Sequence, residues 1–159
     1  SFHGYDISQF ALARAALKLE ESGLHNAAFD DPRVSPMPND QSVDFVTTFD
    51  CIHDMTQPTD MMRRIRQAIK PDGVWLLVDI KALDAFEVAV GCNQLSSLMY
   101  GISVLSCMSS ALREPGGEGL GTLGLSENKA REMTEAAGFT RFRKLDIEHS
   151  VNAFYEVRP

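Results

Sequence analysis

Cysteine is scarce in this chain. Cys51, Cys92 and Cys107 are its three cysteines, and they show no paired spacing. That excludes a disulfide framework and points to a reducing, cytoplasmic setting. Positive charge is in deficit too: 15 Lys and Arg face 22 Asp and Glu, a formal net charge of −7. Such a balance argues against a nucleic-acid or anionic-membrane partner. The basic residues are scattered apart from Arg63, Arg64 and Arg66, on the solvent side of a helix, and Arg141, Arg143 and Lys144, at a solvated strand edge. The four histidines have no metal-ligand spacing, so no metal is expected. Repeats and low-complexity tracts are missing, and no secretory signal is visible in these residues. The longest apolar stretch, 95–112, is broken by Ser96, Ser97, Gly101, Ser103, Ser106, Ser109 and Ser110. A bilayer-spanning helix needs about 20 apolar residues in a row, so a buried or pocket-facing helix is predicted instead.

What the chain does have is apolar content, 44% of 159 residues, enough for one domain with a real core. Its most informative part is 43–81. Val43–Phe49 reads as a strand and Asp50–Thr56 as a polar loop carrying Asp50, Cys51, His53 and Asp54. Pro58 suits the first turn of a helix, where a missing N–H costs nothing. Met62, Ile65 and Ile69 then recur at helical spacing, with Lys70 closing the helix and Pro71 and Gly73 stopping it. Val74–Asp79 is a nearly all-apolar run, as expected of a strand covered on both faces. The whole is one βαβ unit whose loop holds the polar chemistry.

This segment resembles the region from the fourth to the fifth strand of a class I S-adenosylmethionine-dependent methyltransferase. The similarity extends over nearly the whole chain. Ser1–Ser8 resembles the end of that fold's second strand. Ser8 then caps a helix with Leu12, Ala15, Ala16 and Leu19 as its buried stripe and Gly23 as its end. Asn26–Phe29 would be a short third strand. Ala130, Met133 and Ala137 mark a later helix capped by Ser126 and stopped by Gly138, and Phe142–Ile147 with Asn152–Val157 an antiparallel closing pair. Phe49–Met55 and the tail Asn152–Pro159 are similar to a bacterial subgroup with an N-terminal winged-helix dimerisation domain. The resemblance implies an α/β fold, a mostly parallel Rossmann-like sheet with an antiparallel last strand, and a homodimer. It implies a single partial domain over 1–159, with a substrate-side insertion at 84–125.

In that family the first strand and its glycine-rich loop lie before the position of Asp6, and only five residues precede it here. The chain is therefore expected to be truncated at its N-terminus. Because unpaired buried backbone groups are costly, the family's second and fourth strands are expected to close together, or to borrow pairing from another copy.

The resemblance also implies a cofactor and a reaction. S-adenosylmethionine would be the methyl donor, S-adenosylhomocysteine the product, and a small molecule the acceptor. Asp6 would hold the ribose hydroxyls, although Asp-x-Ser before a helix is also a common cap. Ile7 would lie against the adenine, and Phe49, Asp50 and Cys51 would line the methionine end. The acid that meets the adenine amine in this family falls at Arg33 here, which leaves Asp31 as the nearest candidate. His53, just past the fourth strand, would be the base that deprotonates an acceptor hydroxyl. A loop histidine bonded to backbone near a helix start would fit the same position. Asp54 could orient His53, but adjacent side chains rarely face each other. Met99, Tyr100 and Met108 are candidates for the acceptor pocket or for ordinary core.

Gly119-Leu-Gly121-Thr-Leu-Gly124 matches a dinucleotide fingerprint, with Asp146 about 20 residues later. No strand leads into it and no helix starts until after Leu125, so a mobile loop beside the pocket is predicted. Two hypotheses follow: a small-molecule O-methyltransferase, or a cofactor-free fragment of one that only folds and dimerises.

Overall fold

A nearly all-apolar strand must be covered, and Ile69–Ile80 (β4) is the strand around which the larger part of the structure is built. The computed structural model describes residues 1–85 and 95–159, and the chain divides into two units, Ser1–Pro38 and Asn39–Pro159. Cys92 and part of the insertion expected at 84–125 lie outside the described residues.

The first unit is a small parallel βαβ. β1 (Phe2–Tyr5) leads through α1 (Gln9–Ser22) to β2 (Ala27–Asp30), with Phe2 opposite Ala27 and Tyr5 opposite Asp30. Gly4 pairs with Phe29, and a Cβ on Gly4 would lie 2.5 Å from the exposed Phe29 ring, which would have to shift to admit a larger residue. The expected caps of α1 are present: Ser8 Oγ accepts from Ala11 N–H at 3.3 Å, and Gly23 ends the helix in the left-handed conformation. The expected buried stripe is not. No residue of α1 is buried; Leu12, Ala15 and Leu19 are half-buried and Ala16 is exposed. A two-stranded sheet of four-residue strands offers too little surface to cover a helix face.

The second unit holds a four-stranded sheet in the order β3-β4-β6-β5, from β3 (Val43–Phe49), β4, β5 (Arg141–Lys144) and β6 (Asn152–Arg158). β3 and β4 are parallel; β6 runs antiparallel to both β4 and β5, which gives the expected closing pair. Between β3 and β4 lies α2 (Pro58–Ala68), with Pro58 in its first turn. Ile69, assigned from its spacing to the helical stripe, is instead the first residue of β4 and pairs with Val43. Its extended conformation ends the helix two residues before Pro71, as expected upstream of a proline. Trp75, Leu77 and Asp79 point to the fully buried face of β4, whereas Val74 and Leu76 opposite are half-buried.

The core of this unit joins that face to Ile52, Met62, Ile65, Leu125, Met133 and Val157. The Trp75 ring lies 5.5 Å from that of Phe139, and its Nε1–H donates to Thr48 Oγ1 at 3.0 Å. After β4, and beyond the undescribed residues, come α3 (Ser96–Ile102), a π-helical turn (Ser103–Cys107) and α4 (Met108–Ala111). A glycine-rich loop then leads to α5 (Glu127–Ala136), which is capped by Ser126 as expected: its Oγ accepts from Lys129 N–H at 3.2 Å.

β1 pairs with β2 alone, and β3 with β4 alone. Within the second unit β3 is therefore an edge strand of its sheet. Phe45 and Phe49 are 55% and 57% exposed, and backbone groups on an exposed edge can bond to water.

Candidate active site

The polar loop after β3 owes its position to sheet register. Phe49 stands opposite Val78, and the next residue, Asp50, donates its N–H to Val78 C=O at 3.0 Å. Asp50 then takes a positive φ of 48°, and the chain turns across the end of β4. A single 3-10 turn, Ile52–Asp54, follows, with Ile52 and His53 buried. Near the end of β4, beneath it, lies Asp79. Alternation along the strand aims that carboxylate at the face that also buries Trp75 and Leu77.

The two side chains meet. His53 is 4% exposed and Asp79 fully buried, and His53 Nδ1 lies 2.5 Å from Asp79 Oδ1. Oδ1 also accepts from Ile80 N–H at 2.8 Å, while Oδ2 is buried without a hydrogen-bond partner among the described residues. Burial alone would lower the basicity of the imidazole and is the largest single influence on it. The hydrogen bond and charge of Asp79, joined by Cys107, together outweigh it and lift His53 to a pKa of about 9. Cys51, on the same turn, is pushed up to about 12 by burial and by the charge of Asp79.

The other ring nitrogen faces the glycine-rich loop and the π-helical turn. His53 Nε2 is 3.5 Å from Cys107 Sγ, and Thr122 Oγ1 donates to the same sulfur at 2.9 Å. Thr122 N–H in turn donates to Ser103 Oγ at 3.0 Å, and Gly121 N–H to His53 C=O at 3.2 Å. Gly121 has φ 74°, and a Cβ on it would sit 2.5 Å from Ser103 Oγ, so the close approach requires glycine. Upstream, Glu118 accepts from Thr59 N–H at 3.1 Å and ties the loop to the start of α2. The loop was expected to be mobile; these contacts at both ends hold it against the histidine.

The remaining residues singled out from sequence fall in several places. In the first unit, Asp6 is exposed just past β1, with Oδ1 accepting from Ser8 N–H at 2.8 Å. Ile7 is exposed, and its carbonyl accepts from Arg33 Nη2 at 3.0 Å. Asp31 is buried and engaged through both oxygens by Arg33, with Gln9 on Oδ2. The Arg33 guanidinium holds its carboxyl down to about 2.

In the second unit, Phe49 is exposed and Asp50 accepts from the Asn152 side chain. Met108 packs beside Gly119 and Gly121 near the histidine. Tyr100 instead lines a separate groove of about 520 Å3 with Asp84, Ser126 and Lys129, and Met99 is half-buried on the same helix. Asp54, weighed as an orienting group, does not fill that role; its Oδ1 is buried without a partner.

Asp79, Cys107 and Thr122 were not singled out from sequence. Asp79 did carry a signal, as the lone acid closing the apolar run Val74–Val78. Cys107 and Thr122 carried none, since only folding brings them to His53.

Among the described residues no helix is long and apolar enough to cross a membrane, and no group of three or more His, Cys, Asp or Glu side chains is placed to hold a metal ion. The sequence profile described as "Methyltransferase domain" matches residues 1–138. No curated protein matches the chain in sequence. Several solved structures share its fold. The CMeT domain of the citrinin polyketide synthase superposes with a TM-score of 0.69 at 12% identity, covering 98% of this chain and 38% of that one. The trans-methyltransferase CalH, in complex with SAH, gives 0.67 at 17% identity, over 99% of this chain and 42% of that one. A SAM-dependent methyltransferase from Aquifex aeolicus gives 0.62 at 17% identity, over 98% and 67%. The chain thus spans about two fifths of the length of the first two.

Proposed function

This chain belongs to the methyltransferase-domain family, and on that footing we propose that it serves methyl transfer from S-adenosylmethionine to a hydroxyl of a small molecule, with His53 as general base. The observation that carries this reading is the buried His53–Asp79 pair at the C-terminal end of β3 and β4, the sheet edge where open α/β folds bind ligands. When bound, the cofactor supplies an electrophilic methyl group on a sulfonium, so no protein nucleophile is needed. The protein's tasks are to hold the acceptor, exclude water and take a proton.

In the first unit, Asp6 suits the ribose hydroxyls, since its carboxylate is exposed just past a parallel strand. Ile7, also exposed, is assigned to the adenine. Asp31 fits poorly as an adenine contact, because Arg33 and Gln9 already engage its oxygens. In the second unit, Phe49, Asp50 and Cys51 are assigned to the methionine end, and Met108 to the acceptor side. The Phe49–Met55 and Asn152–Pro159 segments support placing the chain in the bacterial subgroup with a winged-helix domain.

The basicity of His53 narrows the acceptor. A base near 9 is matched to a hydroxyl that ionises near 10, as a phenol does, and far less to an aliphatic alcohol. The phenolic proton would pass to Nε2 while Asp79 holds the Nδ1–H and stabilises the positive ring. Only the neutral ring can accept that proton, and its fraction grows as pH rises toward 9. We expect kcat/KM toward a phenolic acceptor to climb about tenfold per pH unit below pH 8 and to level near 9. A profile flat from pH 7 to 9 would reject His53 as the base.

Cofactor binding is tested by calorimetric titration of the chain with S-adenosylhomocysteine. Saturable binding that is lost in Asp6→Ala supports the reading. A folded chain that takes up none would leave the alternative, a folded domain without a cofactor site.

A further inference from the structure

We propose that Cys107 is a nucleophilic thiol, the outer member of a Cys107–His53–Asp79 relay, and a site of covalent capture for soft carbon electrophiles. Three features of the fold carry this. A sulfur, an imidazole and a carboxylate stand in line, with Sγ 3.5 Å from Nε2 and Nδ1 2.5 Å from Oδ1. That is the arrangement of a nucleophile, its base and the group that orients the base. The inner end of the line is built to favour a positive ring: Asp79 is fully buried, and among the described residues its second oxygen has no partner to share its charge. The outer end is the less covered one: Cys107 is half-buried, whereas His53 is 4% exposed and Asp79 fully buried. Thr122 donates its hydroxyl to the sulfur at 2.9 Å, a contact that steadies negative charge there. Cys51 is the internal contrast: on the same turn as His53, it forms no such pair, and burial together with the Asp79 charge makes it inert.

The step balances within the relay. In the reactive form the Cys107 proton already sits on His53 Nε2, leaving the sulfur beside a positive ring, and the sulfur lone pair forms the new S–C bond. With a haloacetamide the carbon–halogen bond breaks and halide leaves. With an α,β-unsaturated carbonyl the π electrons shift toward the carbonyl, and the proton returns from His53 to the α-carbon. The reactivity is independent of methyl transfer. One consequence does rest on the function proposed above: a capped Cys107 would block Nε2 from an acceptor.

The test is labelling of the whole chain with iodoacetamide at neutral pH, read at each cysteine by peptide mass spectrometry, folded and again in urea. Neither cofactor nor acceptor is needed, so a negative result leaves the methyltransferase reading intact. We expect folded Cys107 to react at least about tenfold faster than folded Cys51 and faster than Cys107 in the unfolded chain. A half-buried thiol without assistance would be slowed by folding instead. His53→Gln, checked to melt as a folded protein, should abolish the excess. Folded Cys107 reacting no faster than unfolded Cys107 would overturn the proposal whatever the variant does.

Discussion

Asp79→Asn is expected to divide the pH–rate profile of methyl transfer into two separate changes. The rate reached at high pH should fall by about 10²–10⁴-fold, because asparagine neither fixes the tautomer of His53 nor balances the charge the ring acquires. The midpoint should move from about 9 toward the ordinary histidine value of 6.5, since the hydrogen bond and charge that raise it come chiefly from Asp79. Proton NMR of the His53 ring gives the midpoint directly and without substrate. A variant whose midpoint stays near 9 would show that Asp79 is not the cause.

The same pair sets a pH dependence of stability. His53 titrates higher in the folded protein than in the unfolded chain, so its contribution is complete below pH 6.5 and disappears as pH rises through 9. The loss is on the order of 3 kcal/mol, and Asp79→Asn should show little of it.

Trp75→Ala should be the most damaging core substitution in the second unit. Trp75 is fully buried, lies against Phe139 and bonds to Thr48 on the neighbouring strand. Removing a buried aromatic of this size costs about 3–5 kcal/mol, much of a small domain's stability. The substitution also leaves the Thr48 hydroxyl without its donor. Urea unfolding followed by circular dichroism measures the effect; fluorescence reports only the wild type, since this is the chain's sole tryptophan. Trp75→Phe keeps the packing and loses only the N–H, so it should retain most of the stability. Equal losses in the two variants would contradict a packing role.

Where local chemistry decides the structure, the sequence was readable. Val43–Phe49 reads as a strand and is β3; Pro58 opens α2; Ser8 and Ser126 cap their helices; Gly138 follows α5 with a positive φ. Ile69 was misassigned because helical spacing continues one residue past the helix, and tertiary pairing with Val43 overrides it. The buried face expected of α1 failed for a different reason: amphipathic spacing shows which face would be buried, not whether a surface exists to bury it. The site divided along the same line. His53 was legible from its position after a strand. Its partner was sought one residue away, in Asp54, whereas it lies across a strand pair at Asp79. Cys107 and Thr122 come from segments that no periodicity links to the sheet.

His53 and Asp79 both owe their positions to strand register: Phe49 stands opposite Val78, Asp79 is the next residue of β4, and the turn carrying His53 follows Phe49. Among the described residues, Cys107 on the far side of the imidazole, and Thr122 on its sulfur, come from the chain between the end of β4 and α5. In evolutionary terms these are separable inheritances. That excursion can lengthen, shorten or change its side chains without moving the histidine relative to its carboxylate. Under the function proposed above, acceptor choice could therefore change while the sheet keeps the histidine and its carboxylate in place.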